Sequence, residues 1–262
     1  MMAKVDAGKP LKGVHSVVTG ASRGIGLAIV GALARFGASV TLMARDRGGL
    51  LEASASLCKR FPGQSFLDVV VDVTSGESIT EGFGEARGVL GPPAILVNNA
   101  GGADGTPFGA LEPDDWHRAI ALNLTSVFLC CREVVPGMVE VGGGRIVNVA
   151  STAGLRGYPY VTAYSAAKHG VLGLTRSLAI ETESTGVTVN AVCPGFVDTP
   201  MTQASARKTA EKTGTSVADV LAQYAKMNES GRLIPPDEVA EKVAWLCRPE
   251  LRSVSGDAIV IE

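Results

Sequence analysis

Apolar residues in this chain gather in short unbroken runs, and the runs are separated by longer stretches with a helical period. The runs cover residues 14–19, 39–43, 66–71, 94–97, 145–149, 187–192 and 258–261. A run of that length bounded by glycine or charged residues reads as a strand buried on both faces. Between the runs, an apolar helix is expected from the glycine-rich turn at 20–26 to Phe36, closed by Gly37. Asp46 is placed to cap a helix that reaches Arg60. A helix over 75–90 is expected to be weak, because Gly76, Gly82, Gly84 and Gly88 interrupt it. One long helix is expected over 113–141, another from about 162 to 185, and a last one over 236–247. Residues 196–235 form an insert that returns to the fold. Strand and helix alternate throughout, which predicts an α/β architecture: a doubly wound, seven-stranded parallel sheet with helices on both faces.

Length and composition narrow this picture. With 262 residues, 46% of them hydrophobic, the chain fits a single domain over 1–262 better than two small ones. The net charge of -2 and the lack of a basic run make nucleic acid and anionic membrane poor partners. No apolar run reaches about 18 residues, so no membrane-spanning helix is expected. The first ten residues are polar and lack a signal-peptide core. The five cysteines show no CxxC spacing, which suggests reduced thiols in a cytoplasmic protein.

The candidate chemistry starts at Tyr164 and Lys168, four apart on one helical face. A free phenol titrates near ~10. An ammonium about 4 Å away favours the phenolate by about 4 kcal/mol at an effective dielectric of about 20, roughly three pKa units. Such a pair is a general acid/base that works near neutrality. The turn Thr19-Gly20-Ala21-Ser22-Arg23-Gly24-Ile25-Gly26 joins the first strand to the first helix. Its glycines let a pyrophosphate approach the free N–H groups of a helix N-terminus. Without a ligand the same stretch is an ordinary tight turn, but its place after the first strand of a βα series favours the cofactor reading. At the end of the second strand Ala44 stands where an acidic residue would bind a ribose 2′-OH, and Arg45 follows. With Arg23 this predicts a 2′-phosphate and NADP(H); in the other reading both arginines are solvated and Asp46 reaches the ribose. Asp72 and Val73 fall where an adenine edge lies, unless Asp72 caps the next helix. Asn99, Ala100 and Gly101 stand at the switch point of the sheet, and Asn98 is expected to bond strand backbone. Ser151 ends the fifth strand, and its hydroxyl suits a carbonyl oxygen. Asn123 is a polar residue in an apolar helical run, either a cap, a bond to another helix, or a link to Lys168 through water.

In this order and spacing, the glycine turn, Asn98-Asn99-Ala100-Gly101, Asn123, Ser151, Tyr164-Ser165-Ala166-Ala167-Lys168 and Pro194-Gly195 resemble the short-chain dehydrogenase/reductase family in its NADP-preferring form. The likeness covers about residues 14–261. It implies a Rossmann fold and an oxidoreductase that moves a hydride between NADP(H) and a ketone or secondary alcohol. It also implies Tyr164 as proton donor or acceptor, Lys168 tuning it and bonding the nicotinamide ribose, Ser151 holding the substrate oxygen and Asn123 supporting a relay. Pro194, Gly195, Val197 and Thr199 would flank the nicotinamide. No metal is implied.

The family's substrate pocket is formed by the loop after Ser151, here with Leu155, Tyr158, Pro159 and Tyr160, and by the insert. The insert contributes Phe196, Met201 and a helical stretch in which Val217, Val220, Leu221, Tyr224 and Met227 make one apolar stripe, which either closes over an apolar ketone or packs on its own domain or a neighbouring subunit. The chain is similar to bacterial 3-oxoacyl reductases, but Gly142 and Thr185 stand where those that dock a carrier protein have arginines. A 3-oxoacyl-CoA or a free ketone fits as well; Arg207, Lys208 and Lys212 would face CoA phosphates or only solvent. The family's oligomers imply a homotetramer or homodimer, although the stretch after Ser255-Gly256-Asp257 lacks the usual glycine-rich end. The alternatives are an NAD-dependent alcohol or 3-hydroxyacyl-CoA dehydrogenase, and an NADP-binding regulatory protein without catalysis.

Overall fold

A computed structural model describes residues 8–262, so the polar stretch at the very start lies almost wholly outside the described residues. The seven strands are β1 (His15–Thr19), β2 (Ser39–Ala44), β3 (Phe66–Val70), β4 (Ile95–Asn98), β5 (Gly144–Val149), β6 (Val187–Pro194) and β7 (Ala258–Ile261). They pair in the order β3-β2-β1-β4-β5-β6-β7, every pair parallel. Successive residues of one strand feed opposite layers: Val18 packs with one apolar cluster and Val17 with the other. That is why the strands read as continuous apolar runs rather than alternating ones.

One layer is built on α1 (Gly24–Arg35), α2 (Arg47–Arg60) and α9 (Pro236–Leu246), through residues such as Ile29, Leu50 and Val243. The other is built on α3 (Gly76–Leu90), α5 (Ser126–Glu140) and α6 (Thr162–Glu181), through Phe83, Val134 and Val171. The sheet order reverses between β1 and β4, so the loops after these strands diverge and leave a crevice at their carboxyl ends.

Several expectations need correction. The long helix over 113–141 is three pieces: α4 (Pro113–Ile120), a π turn (Ala121–Thr125) and α5. Together Pro113–Glu140 are long and apolar enough to cross a membrane by length and composition, contrary to the expectation from unbroken runs. The stretch nevertheless packs on α3 and α6, and carries Glu133, which pairs with Arg87 of α3. The helix over 75–90 is complete despite its glycines, because Ser75 caps it by accepting the Ser78 N–H. Gly82 lets it approach the sheet: a Cβ there would sit 2.4 Å from a Val71 methyl. Asp46 occupies the cap position of α2 but its carboxylate makes no capping bond. The helix from 162 stops at Glu181 rather than Thr185, and residues 183–185 form a 3-10 turn.

The insert contains α7 (Pro200–Thr213) and α8 (Val217–Lys226). Val217, Val220, Leu221 and Tyr224 pack against Ala206 and Ala210 of α7, so most of the apolar stripe is used within the insert.

Candidate active site

The carboxyl ends of β1, β4, β5 and β6, the insert and the loop after β5 enclose a cleft of about 760 Å³. Its two ends are built differently. At one end the β1–α1 turn places Gly20 with φ +65°, pressed against the β4 loop so that a Cβ would meet the Ala100 Cα at 2.9 Å. The turn is held by a polar clamp. Asn99 Nδ2 donates to the Thr19 and Gly20 carbonyls at 2.9 and 3.1 Å, and the Asn99 and Ala100 N–H groups both donate to Thr19 Oγ1 at 3.0 Å. Thus Asn99 positions the turn with its side chain. Thr19, the residue that opens the glycine motif in the sequence, completes the clamp.

Helix α1 begins at Gly24 with no side-chain cap and no acid in its first turn. Gly24, Ile25 and Gly26 of its first turn line the cleft, and Thr199 lies close by, its methyl 3.5 Å from where a Gly24 Cβ would be. Arg23 and Arg45 are exposed at this rim. Asp46 also lines it, its carboxylate 2.9 Å from where a Gly49 Cβ would be. Ser22, Ile25, Gly26 and Val73 line the same end, but Asp72 does not. The Asp72 carboxylate is turned back, accepting from the Thr74 N–H and hydroxyl at 2.9 and 2.7 Å, which holds it below the usual carboxylate range. Nor does it cap the next helix, a position taken by Ser75.

The other end carries the candidate acid/base group. Tyr164, Lys168 and Ser151 line the cleft together, with Gly101, Pro194, Gly195 and Val197 around them. Ser151 Oγ donates to the Pro194 carbonyl at 3.5 Å. Ser151 also accepts the Ala153 N–H at 3.1 Å. Lys168 is buried, donates to the Val149 carbonyl at 2.8 Å, and sits 5.6 Å from the centre of the Tyr164 ring. Here the electrostatic expectation fails. Burial raises the Tyr164 phenol above its ordinary value, offset in part by Ser151, and Lys168 does not lower it. The ammonium is held over the ring and by a carbonyl, and burial pulls its own pKa down to about 8. Cys193 adjoins both, and burial pushes its thiol up to about 11.

Asn123 lies behind this group and is fully buried. In the π turn each N–H reaches back five residues, as Ser126 N–H does to Ala121 O. The Asn123 Nδ2 takes up the Ala119 carbonyl four residues back, at 3.0 Å. The same amide bonds Gly102 in both directions, donating to its carbonyl at 2.9 Å and accepting its N–H at 3.0 Å. A Cβ on Gly101 would sit 2.8 Å from Asn123 Oδ1 and 3.6 Å from Lys168 Nζ, so the three residues converge. Asn98, expected to bond strand backbone, instead donates to the Asn148 side chain at 2.9 Å, and Asn148 donates to Thr175.

On the substrate side Phe196 stacks on Tyr224 with centroids 4.5 Å apart and meets Tyr158 edge-on at 6.3 Å. Asn228 holds this wall, accepting the Phe196 N–H and donating to its carbonyl. It was missed because an asparagine after a helix reads as ordinary loop. Lys208 of α7 pairs with Asp104 of the loop after β4 at 3.0 Å.

Residues 15–210 match the family model of the short chain dehydrogenases. The 3-oxoacyl-acyl-carrier-protein reductase FabG of Vibrio cholerae is 38% identical, over 95% of this chain and 96% of its own. Among solved structures, a variant of actinorhodin polyketide ketoreductase with NADPH has a TM-score of 0.90 at 37% identity, covering 95% of both chains. An L-sorbose reductase from Gluconobacter frateurii, solved with NADPH and L-sorbose, has a TM-score of 0.91 at 30% identity, covering 97% of both.

Proposed function

This chain belongs to the short-chain dehydrogenase family, and from that premise we propose that it is an NADP(H)-dependent reductase that converts a ketone to a secondary alcohol. The observation that carries the reading is that Tyr164, Ser151 and Lys168 line one cleft whose other end holds an uncapped helix and two exposed arginines. The residues present fit a dinucleotide. Gly20, Gly24 and Gly26 and the uncapped N-terminus of α1 line the cleft, which suits a pyrophosphate, and the exposed Arg23 and Arg45 suit a 2′-phosphate. NADPH, as in the two neighbours solved with it, supplies the hydride.

The chain's own residues do the rest. Ser151 Oγ binds the substrate carbonyl oxygen, and Tyr164 donates a proton to that oxygen as it gains charge. A phenol raised by burial is protonated at neutral pH, which suits donation and therefore reduction. Oxidation of an alcohol needs the phenolate and is expected at alkaline pH. Lys168 supplies positive charge beside the ring and a donor toward a ribose. Asn123 holds the Gly101–Gly102 backbone under Lys168 as a positioning residue. Phe196, Tyr158 and Tyr224 give an apolar wall suited to a medium-sized or aryl ketone.

Gly142 and Thr185 offer no cation to a carrier protein, which favours a free ketone or a CoA thioester over the carrier-bound substrate in the name of the Vibrio relative. A second reading, an NAD-dependent dehydrogenase, has one observation in its favour: the Asp46 carboxylate lines the ribose end and makes no capping bond. The exposed apolar residues Phe128, Val139 and Ile180 on α5 and α6, and Val260 on the edge strand β7, support a homodimer or homotetramer. Five free cysteines are consistent with a cytoplasmic enzyme.

The test is kcat/KM with NADPH and NADH, in the wild type and in Arg45→Ala. The reading expects a preference for NADPH that falls about ten- to a hundredfold in the variant, with NADH little changed. A wild-type preference for NADH would favour the second reading.

A further inference from the structure

One wall of the cleft is held by a residue that does not itself line the cleft. Strand β6 ends at Pro194, and the chain leaves the sheet through Gly195, Phe196 and Val197, which all line the cleft. The Gly195 N–H still pairs with the sheet, donating to the Ile261 carbonyl of β7 at 2.9 Å. Further on, Val197 bridges Ile234, and the Asp198 N–H donates to the Ile234 carbonyl at 2.8 Å. The Phe196 peptide lies between these ties, and Asn228 serves it. Asn228 Oδ1 accepts the Phe196 N–H at 2.8 Å, and its Nδ2 donates to the Phe196 carbonyl at 2.9 Å. A neighbouring strand would pair with both groups in the same way. The Nδ2 also donates to the Arg232 carbonyl at 2.7 Å, which joins the start of the insert to its end. Asn228 is 4% exposed, and a buried amide is costly unless its polar atoms are bonded, as both are here. It also presses on Gly195, where a Cβ would sit 2.2 Å from Asn228 Oδ1. One buried side chain thus sets two successive residues of the cleft wall.

We propose that Asn228 is a positioning residue for hydride transfer, fixing through the Gly195–Phe196 backbone the wall on which the nicotinamide of NADP(H) lies. This rests on the ketone-reductase reading above. The wall starts at Pro194, whose carbonyl accepts from Ser151 Oγ, so it belongs to the same end of the cleft as Ser151 and Tyr164. Transfer needs the reacting atoms about 3–3.5 Å apart, and a misplacement of about 1 Å costs about a hundredfold in rate. Without the amide, the Phe196 peptide keeps the Ile234 N–H but loses both bonds to Asn228, and the wall is free to shift into the space beside Gly195.

The experiment compares Asn228→Ala and Asn228→Asp with the wild type. Aspartate keeps the size of the side chain and the acceptor for the Phe196 N–H, but loses the donor to the two carbonyls. In the cofactor-free protein, hydrogen exchange of the Phe196 amide should speed up about tenfold or more in Asn228→Ala, which reads the tie without turnover. With saturating NADPH and a ketone, kcat should fall about tenfold or more in both variants. The isotope effect on kcat, with NADPH deuterated at the transferred position, should rise above that of the wild type, while the Kd for NADPH stays within about threefold. A residue that served stability alone would lower the melting temperature and leave kcat and the isotope effect as in the wild type. That result, an Asn228→Asp variant with wild-type kcat, or a Phe196 amide whose exchange does not change overturns the proposal and leaves the reductase reading intact. A wild type that oxidises NADPH with no ketone of a broad panel overturns both.

Discussion

Replacing Lys168 with methionine should make the enzyme inactive and more stable. The ammonium is 3% exposed, has one hydrogen bond, to the Val149 carbonyl, and belongs to none of the ion pairs of the described residues. Burial lowers its pKa from 10.5 to about 8. At about 1.4 kcal/mol per pKa unit, holding the charge in the fold at pH 7 costs about 3 kcal/mol. Methionine has similar length and no charge; it leaves the Val149 carbonyl without its donor, a loss of about 1 kcal/mol. The net gain is about 1–2 kcal/mol, or a rise of about 2–8 °C in Tm for a chain of this size. The pH dependence has a definite sign. The folded state prefers the neutral amine, so the wild type gains stability as pH rises from about 8 towards 10.5. The advantage of the variant should therefore shrink by about 2 kcal/mol between pH 7 and pH 9.5. Thermal melting of the cofactor-free protein at the two pH values, with NADPH oxidation measured alongside, reads all three effects. A variant that melts below the wild type at pH 7, or a difference that does not change with pH, would refute this reasoning.

Two other perturbations probe neighbouring parts of the fold. Gly101→Ala puts a Cβ 2.8 Å from Asn123 Oδ1 and 3.6 Å from Lys168 Nζ; kcat should fall at least about tenfold and stability by about 1–3 kcal/mol, read by steady-state kinetics and melting. His15 lies buried at the other end of the sheet, between the Gly91 carbonyl and Thr41, and burial lowers its pKa. Its contribution to stability is complete above its unfolded pKa of about 6.5 and is lost as pH falls below that. The difference in Tm between wild type and His15→Gln should thus narrow from pH 7.5 to pH 5.5, and a constant difference would contradict the assignment.

The sheet and the cofactor end were legible because their signals are local. Buried parallel strands need unbroken apolar runs, and a backbone that must approach another backbone as Gly20 approaches Ala100 needs glycine. The same reasoning placed Tyr164, Lys168, Ser151 and most of the glycine turn in one cleft. It failed where the outcome depends on a distant partner. The π turn at Ala121–Thr125 changes hydrogen-bond register without changing residue type, so Asn123 read as part of one long helix. Spacing alone brought Tyr164 and Lys168 to one face, but the Val149 carbonyl, fifteen residues before Tyr164, decides where the ammonium goes. Asp72 turned to its neighbour Thr74 instead of the cleft, and Asn98 to the Asn148 and Cys131 side chains, since a polar group accepts the nearest satisfying partner. No local signal marks the left-handed backbone of Tyr160, a residue type that rarely adopts it.

The most direct measurement is the turnover of Tyr164→Phe with NADPH and a ketone the wild type reduces, together with the Kd for NADPH. Removing one hydroxyl should lower kcat about a hundredfold or more and leave NADPH affinity within about twofold, since the phenol moves a proton and the glycine turn and arginines bind the dinucleotide. A variant that keeps more than a few per cent of the wild-type kcat would contradict the assignment of Tyr164 as the proton donor.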